Sequence, residues 1–428
     1  MFKERIKKEE KELLKSIEKV VEINSIEGKQ GINAPFGEEP KRALEKALEI
    51  AKEMGFKVKN IDNVIGYAEY GQEDSSDEYI CALGHLDIVE AGENWDYDPF
   101  KLTMDNGRLY GRGVLDNKGP IMCCLHGMKI IKDMNLDINK KIRVIFGTNE
   151  ETGFKDIPYY LKEEKLPVMG FTPDCKYPAV YGERGILDIT IWSKDIIENV
   201  LIDSDFVNNV VPSECKLIID GNLFGDIGEK APGNAPEFGV NAVTKLVDRL
   251  KNMELSENLK EFFAFVAKEF HENHNMEKNG IKCEDEISGK LVINPYGIVK
   301  KDNKIGVSVV FRYPISYKYE DILEIIRSVM EEGNTLTENR RMDSVLFPKD
   351  GEMLKILKDS YEEATGFDGT PVTTTGGTYA KVFKNIVAFG PSFPGQKGIA
   401  HNKNEYMELE DLMTNLEIYT NALYKLAK

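Results

Sequence analysis

The sequence is poor in cysteine, in histidine and in long apolar runs, and each shortage excludes something. Six cysteines in 428 residues, including the adjacent pair Cys123 and Cys124, do not make a disulfide framework. No Cys-x-x-Cys pair supplies a zinc-finger spacing. The longest aromatic-rich run, "FFAFVA" at 262–267, is far too short to cross a bilayer. The N-terminal stretch "MFKERIKKEEKELLKSIEKVVEI" reads as a charged amphipathic helix without the apolar centre of a signal peptide. Lysine and arginine number 56 against 73 aspartates and glutamates, and the net charge of −17 offers no surface for nucleic-acid phosphates. These absences set the expectation of a soluble cytoplasmic protein with neither a nucleic-acid nor a membrane partner. With only five histidines, one in an unusual place carries information.

What is present is an alternation of helical and strand-like periods, in a chain long enough for two or three packing units. Apolar residues recur at helical spacing over 5–23, and "PKRALEKALEIAKEMG" (40–55) reads as a second helix closed by Gly55. A strand "KVKNIDNVIGYAEYG", an acidic turn at 72–78 and the buried strand "YICALGHLDIVEAG" (79–92) follow. "MCCLHGMKIIKDMN" predicts a helix, and "KIRVIFGTNEE" a strand ending in two acids. This alternation predicts an α/β domain with a mixed sheet flanked by helices. After "YGERGIL" (181–187) the texture changes. "LDITIWS", "CKLIID" and "GVSVVFRYP" alternate as strands, while 238–252, 257–273 and 318–332 read as helices. That order suits an inserted α+β domain at 186–347, leaving 1–185 and 348–428 as one discontinuous α/β domain. No internal repeat or low-complexity tract is seen.

The chemistry-bearing candidates sit at the edges of these elements. His85 and Asp87 end an apolar run and, on a strand, would share one face about 7 Å apart. A carboxylate so placed can fix an imidazole's tautomer, as beside a metal-ligating histidine. "LYGRGVLDNKGP" (109–120) has the glycines of a phosphate loop but neither Gly-Lys-Ser/Thr nor Gly-x-Gly-x-x-Gly, which leaves Asp116 in a tight turn before a helix. Glu150 and Glu151 end a strand, where ligands gather in open α/β sheets, and adjacent side chains diverge, so two acids can do two jobs. "GFTPDCKYP" isolates Asp174 in a loop, and "GIAHNKNE" places His401 and Glu405 ahead of the last helix. His126 falls in an apolar helical pattern and reads as packed; His271 and His274 fall in a charged helix and read as exposed. Two imidazoles and several carboxylates at such positions suit a paired divalent-metal hydrolase, in which one carboxylate bridges two ions. No Gly-x-Ser-x-Gly or His-Glu-x-x-His favours a different hydrolase.

The ordered motifs "GHLDIV", "GRGVLDNKG", "NEE", "TPD", "NVVP", "FRYP", "GGTYA" and "HNKNE" resemble those of the dinuclear metallopeptidase family of aminoacylase-1, carboxypeptidase G and succinyl-diaminopimelate desuccinylase. Within it the chain is most similar to the bacterial dipeptidase V branch, which acts on Xaa-His-like dipeptides. The resemblance implies that His85 and Asp174 hold one metal, Glu151 and His401 the other, and Asp116 bridges. It implies that Asp87 orients His85 and that Glu150 is the general base. It further implies that Arg312 grips the substrate's terminal carboxylate, with Gly376, Gly377 and Thr378 beside it and Asn209 in a lid. The inserted domain would then be a ferredoxin-like lid, and the protein a monomeric dipeptidase using two Zn²⁺ or Mn²⁺ ions on small peptides. An N-acyl-amino-acid deacylase of the same family is the alternative activity. A noncatalytic metal-dependent peptide-binding protein is the alternative from another class. An α/β-hydrolase or thiol enzyme resting on Cys81 or Cys175 is a further reading. One departure stands out: in "GEKAPGNAPEFGVNA" (228–242) Pro232 occupies the place of the family's lid histidine, for which His271 or His274 would have to substitute.

Overall fold

A computed structural model describes residues 2–71 and 78–428, so the acidic turn expected at 72–78 lies, apart from Glu78, outside the described residues. The chain divides into two compact units. The first takes residues up to Tyr181, then Phe347–Val372 and Thr378–Lys428; the second takes Gly182–Leu346 and Thr373–Gly377.

In the first unit, α1 (Lys3–Val21) and α2 (Glu38–Glu53) bury one apolar face each, through Leu13, Ile17 and Val20 and through Ala43, Leu44 and Ala47. The stretch expected as one strand is a hairpin, β1 (Lys57–Ile61) and β2 (Ile65–Tyr70). Asp62 and Asn63 turn the chain at φ of 52° and 57°, a conformation such short polar residues tolerate. β3 (Tyr79–His85) is buried throughout. β4 (Thr103–Asp105) and β5 (Arg108–Tyr110) form a small ladder that Tyr406–Glu408 joins. Then come α3 (Lys118–Asp133), β6 (Lys141–Gly147), α4 (Ile157–Glu163) and β7 (Met169–Thr172).

The principal sheet runs β1-β2-β6-β3-β7, then Ile386–Ala388, then the start of Val180–Glu183. β6, β3, β7 and Ile386–Ala388 are mutually parallel and therefore bring their carboxyl ends to one edge. Such strands are covered on both faces, and β3 and β6 are accordingly near-continuous apolar runs. The helices α1, α2 and α3 and the C-terminal helix Leu409–Ala427 contribute to the unit's core with Ile80, Ala82, Val144 and Phe146 from the strands.

The second unit is α+β. Its antiparallel sheet has the order Val292–Lys301, Lys304–Tyr313, Gly185–Trp192, Thr335–Met342. Leu187, Ile189, Ile191, Val307, Val309 and Phe311 alternate onto one face, where residues of the helices Ala242–Leu250, Glu257–Phe270 and Tyr319–Val329 share their core. The three helices are shorter than their sequence pattern. The first begins at Ala242, where the Asn241 side chain accepts the Thr244 N–H, and the second ends at Phe270. His271 thus caps a helix rather than continuing it. It is half-buried with Nδ1 3.3 Å from Thr244 Oγ1, and His274 is half-buried as well, not the fully exposed residue expected.

Candidate metal centre

The parallel strands deliver their terminal polar residues to one place in the first unit. His85 is the last residue of β3, Glu150 and Glu151 lie in the turn after β6, and Asp174 follows β7. Asp116 precedes α3, and His401 sits at φ 61° in the loop before Tyr406–Glu408. Asn117 ties three of these loops: its Oδ1 accepts the His85 N–H at 3.3 Å and its Nδ2 donates to the Pro173 carbonyl. A Cβ on Gly84 would collide with that Asn117 oxygen, so only glycine lets the Asp116 turn approach β3 so closely.

His85 is fully buried. Its Nδ1 lies 2.9 Å from the Asp87 carbonyl, and because a carbonyl only accepts, this nitrogen carries the hydrogen. Nε2 faces Asp116 Oδ1, 3.1 Å away, and Asp174 Oδ1, 3.6 Å away. The other Asp116 oxygen, Oδ2, is 3.0 Å from His401 Nε2, which is also 2.9 Å from Glu151 Oε1. One carboxylate therefore faces an imidazole with each of its two oxygens. Donor atoms of His85, Asp116 and Glu151 lie within 4.8 Å of one another, and so do those of His85, Glu150 and Asp174.

The electrostatics of the protein groups show why this cluster calls for cations. Burial pushes Glu150 well above the ordinary carboxylate range, and the neighbouring charge of Asp174 adds to it. Burial likewise raises Glu151 and lifts Asp174 to about 7. For His85 burial acts downward, but Asp174, Asp116 and Asp87 outweigh it and hold the imidazole well above its usual value. His401 reaches about 11, since Asp116 and Glu151 overcome its burial. Those two histidine hydrogen bonds hold Asp116 well below the carboxylate range despite burial. A proton on each Nε2 occupies the place a divalent cation would take between imidazole and carboxylate. The residues present thus fit divalent metal, and an oxygen- and imidazole-rich donor set accommodates zinc or manganese.

Asp87 reaches His85 chiefly through its main chain. β3 ends at His85, so the two residues do not share a strand face, and it is the Asp87 main-chain carbonyl that orients the imidazole at hydrogen-bond distance. The Asp87 side chain, with Oδ1 3.5 Å from His85 Nδ1, also accepts the N–H of Glu150 (3.2 Å) and of Glu151 (3.0 Å). Two carboxylates given no role by sequence reasoning act in the same way. Asp156 accepts the N–H of Thr148 (2.9 Å) and Asn149 (3.3 Å) as well as the Tyr379 hydroxyl. Glu405 accepts three N–H groups of the Asp116 turn. Asp156 carries no motif signal; Glu405 stands out only by its place in "HNKNE". His126 is packed as expected, between Glu9 Oε1 at 2.7 Å and Ser16 Oγ at 2.9 Å. Cys81 is fully buried, and burial pushes its thiol up, away from the reactive thiolate.

The remaining predicted residues are placed mostly in the second unit. Arg312 lies on strand Lys304–Tyr313, donates from Nη1 to the Thr375 carbonyl at 2.8 Å, and keeps a buried Nε without a partner. Burial lowers its pKa to about 10, and Arg340 and Arg184 push the same way. The adjoining Gly376 and Gly377 are half-buried. Asn209 is exposed, its carbonyl accepting the Gly233 N–H at 2.7 Å. Pro232 is exposed on a two-residue ladder opposite Val210. Thr378, in the first unit, is buried and caps the short helical turn Tyr379–Lys381.

Comparison with known proteins agrees with this geometry. The model described as Peptidase family M20/M25/M40 matches residues 81–425. The chain is similar to a putative dipeptidase, YtjP, of Bacillus subtilis, at 33% identity over 99% of this chain and 98% of that one. It is 31% identical to a Beta-Ala-Xaa dipeptidase of Lactobacillus delbrueckii, over 100% of this chain and 98% of the relative. In fold it resembles human carnosine dipeptidase 1, with a TM-score of 0.65 at 13% identity over 99% of this chain and 98% of the other.

Proposed function

The chain belongs to peptidase family M20/M25/M40, and on that premise we propose that it is a metal-dependent dipeptidase acting on short peptides with a free terminal carboxylate. The observation that carries the reading is Asp116, one carboxylate oxygen facing His85 and the other facing His401. His85 and Asp174 would hold one ion, Glu151 and His401 a second, with Asp116 shared. Such ions supply positive charge that acidifies water and polarises the scissile carbonyl. Glu150 takes the proton of the attacking water and returns it to the leaving amine, a task suited to a carboxyl whose pKa is raised by burial. Asp87 holds the backbone of Glu150 and Glu151 while its own carbonyl sets the His85 tautomer.

Arg312 would take the terminal carboxylate, for which its buried, unpartnered Nε and the depressing influence of Arg340 and Arg184 are the support. Asn209, Gly376, Gly377 and Thr378 complete that grip in this reading, and the second unit serves as the lid. The 31% identical Beta-Ala-Xaa dipeptidase supports a dipeptide substrate. The reading keeps the expectation of a cytoplasmic monomer; among the described residues no helix is long and apolar enough to cross a membrane, and the molar mass in solution tests the monomer.

The deciding experiment is a panel of dipeptides, C-terminally amidated dipeptides and N-acyl amino acids, each with and without chelation. Turnover of free-acid dipeptides, lost on chelation and restored by Zn²⁺ or Mn²⁺, is expected, with the amides poor. Turnover of the N-acyl compounds alone would replace the dipeptidase reading with a deacylase, and activity that survives chelation would overturn both.

A further inference from the structure

Glu405 is four residues beyond His401, and its side chain reaches the other histidine-facing loop, 290 residues earlier in the chain. It is completely buried. Oε1 accepts the N–H groups of Gly113 (3.1 Å), Leu115 (2.9 Å) and Asp116 (3.0 Å), and Oε2 accepts Arg112 Nη1 at 2.6 Å. The Glu405 carbonyl accepts the Gly111 N–H at 3.1 Å, and Tyr406–Glu408 then pairs with β5, so the two loops are locked side by side. Arg112 is itself buried, and Nη2 reaches the Glu90 carbonyl at 3.2 Å. A buried charge pair with four accepted hydrogen bonds is far more than a helix start or a turn requires. What it fixes is the backbone N–H of Asp116, whose side chain faces both histidines.

We propose that Glu405 is a positioning residue for the metal pair: by clasping the Gly113–Asp116 turn from the His401 loop, it sets the span between Asp116 and His401 and so governs occupancy of the Glu151–His401 ion. The inference rests on the proposed metal reading. Glu405 touches neither ion nor substrate in this account; it acts through Asp116. Outer partners of this kind typically change metal affinity by about 10–100-fold when replaced.

Glu405→Gln tests it, because the amide has nearly the same shape but one acceptor oxygen where the carboxylate has two. Satisfying the three N–H groups then turns the NH₂ toward Arg112, and the opposite flip leaves the turn unheld. The measurement is Zn²⁺ and Co²⁺ titration of the full chain, by calorimetry and by the visible spectrum of the cobalt protein, with kcat and KM alongside. The expected result is one ion bound as in the unaltered protein, the second weakened by about 10–100-fold, an altered cobalt spectrum, and kcat reduced at unchanged KM and recovered by excess metal. Leu423→Ala, a core truncation in the C-terminal helix, serves as the control: a comparable fall in melting temperature with normal two-ion titration assigns the Glu405 effect to positioning. Two ions bound with unchanged affinity and spectrum in Glu405→Gln would overturn the proposal, as would the same second-ion loss in Leu423→Ala. If the unaltered protein binds no divalent ion, the metal reading itself fails, which is a separate outcome.

Discussion

Replacing Asp87 by asparagine tests its hold on the Glu150–Glu151 turn. The side chain is buried and spends both oxygens on neighbouring backbone groups, Oδ1 on the Glu150 N–H and Oδ2 on the Glu151 N–H. Asparagine keeps the shape and one acceptor, but sets an NH₂ group against the second N–H. One charge-assisted hydrogen bond is lost, worth about 1.5–3 kcal/mol. If that loss falls on the geometry of Glu150 in the transition state, kcat drops by about 10–150-fold at roughly 1.4 kcal/mol per decade. The His85 imidazole should stay in place, because the Asp87 main-chain carbonyl holds Nδ1 and asparagine retains it. The assay is steady-state turnover of a dipeptide at saturating metal, with metal content and melting temperature measured on the same preparation. The expected pattern is a lower kcat with unchanged KM and an unchanged His85-side ion. A kcat within about twofold of the unaltered enzyme would refute the argument, because a bond of that strength cannot be lost at that price in rate. A pure KM effect would refute it equally.

Two further outcomes test neighbouring parts of the site. Glu150→Gln should lower kcat by about 10²–10⁴-fold while leaving metal content intact, as expected for loss of a general base; turnover like that of the unaltered enzyme would remove Glu150 from that role. Asp156 is raised from 3.8 to about 6, chiefly by burial, with the nearby Asp87 adding and the Tyr379 hydroxyl opposing. A carboxyl whose folded pKa is raised contributes stability below its unfolded value, and that contribution disappears as pH climbs through about 6. Asp156→Asn cannot ionise, so its melting temperature relative to the unaltered protein should improve between pH 4 and 7 in chelator, by an amount equivalent to about 3 kcal/mol. A difference that stays flat across that range would show that Asp156 does not titrate there.

The residues of the cluster were readable in the sequence because their signal is local. His85, Glu150 and Asp174 each break an apolar run where the run ought to stop, and the period of a buried strand makes a polar terminus conspicuous. The α/β character of the first unit followed from the same periods. The hairpin at 57–70 was missed because apolar residues flank Asp62 and Asn63 closely enough to read as one strand, although both are turn formers. His271 was misplaced because the helical pattern runs past Phe270, where the backbone turns extended at φ −72° and ψ 121°.

The way the cluster is held in place was hidden for a different reason. Asp87 and Glu405 drew attention only through their neighbours His85 and His401, and Asp156 not at all, and among 73 acidic residues nothing in type or spacing marks these three as buried acceptors of backbone N–H groups. Each is buried, and each accepts two or three backbone N–H groups from a turn that bears a residue of the cluster. Their donor partners lie at separations from 7 to 292 residues, fixed by which parallel strands become neighbours rather than by any repeat along the chain. A turn at the end of a parallel strand has unpaired N–H groups that burial would leave orphaned, at about 1–3 kcal/mol each. A buried carboxylate answers several at once, and by doing so it also fixes the angle at which the adjacent donor leaves the backbone. The same requirement that keeps the strand ends folded therefore aims the cluster of imidazoles and carboxylates, which is why stability and metal geometry should fail together at these three positions and separately elsewhere.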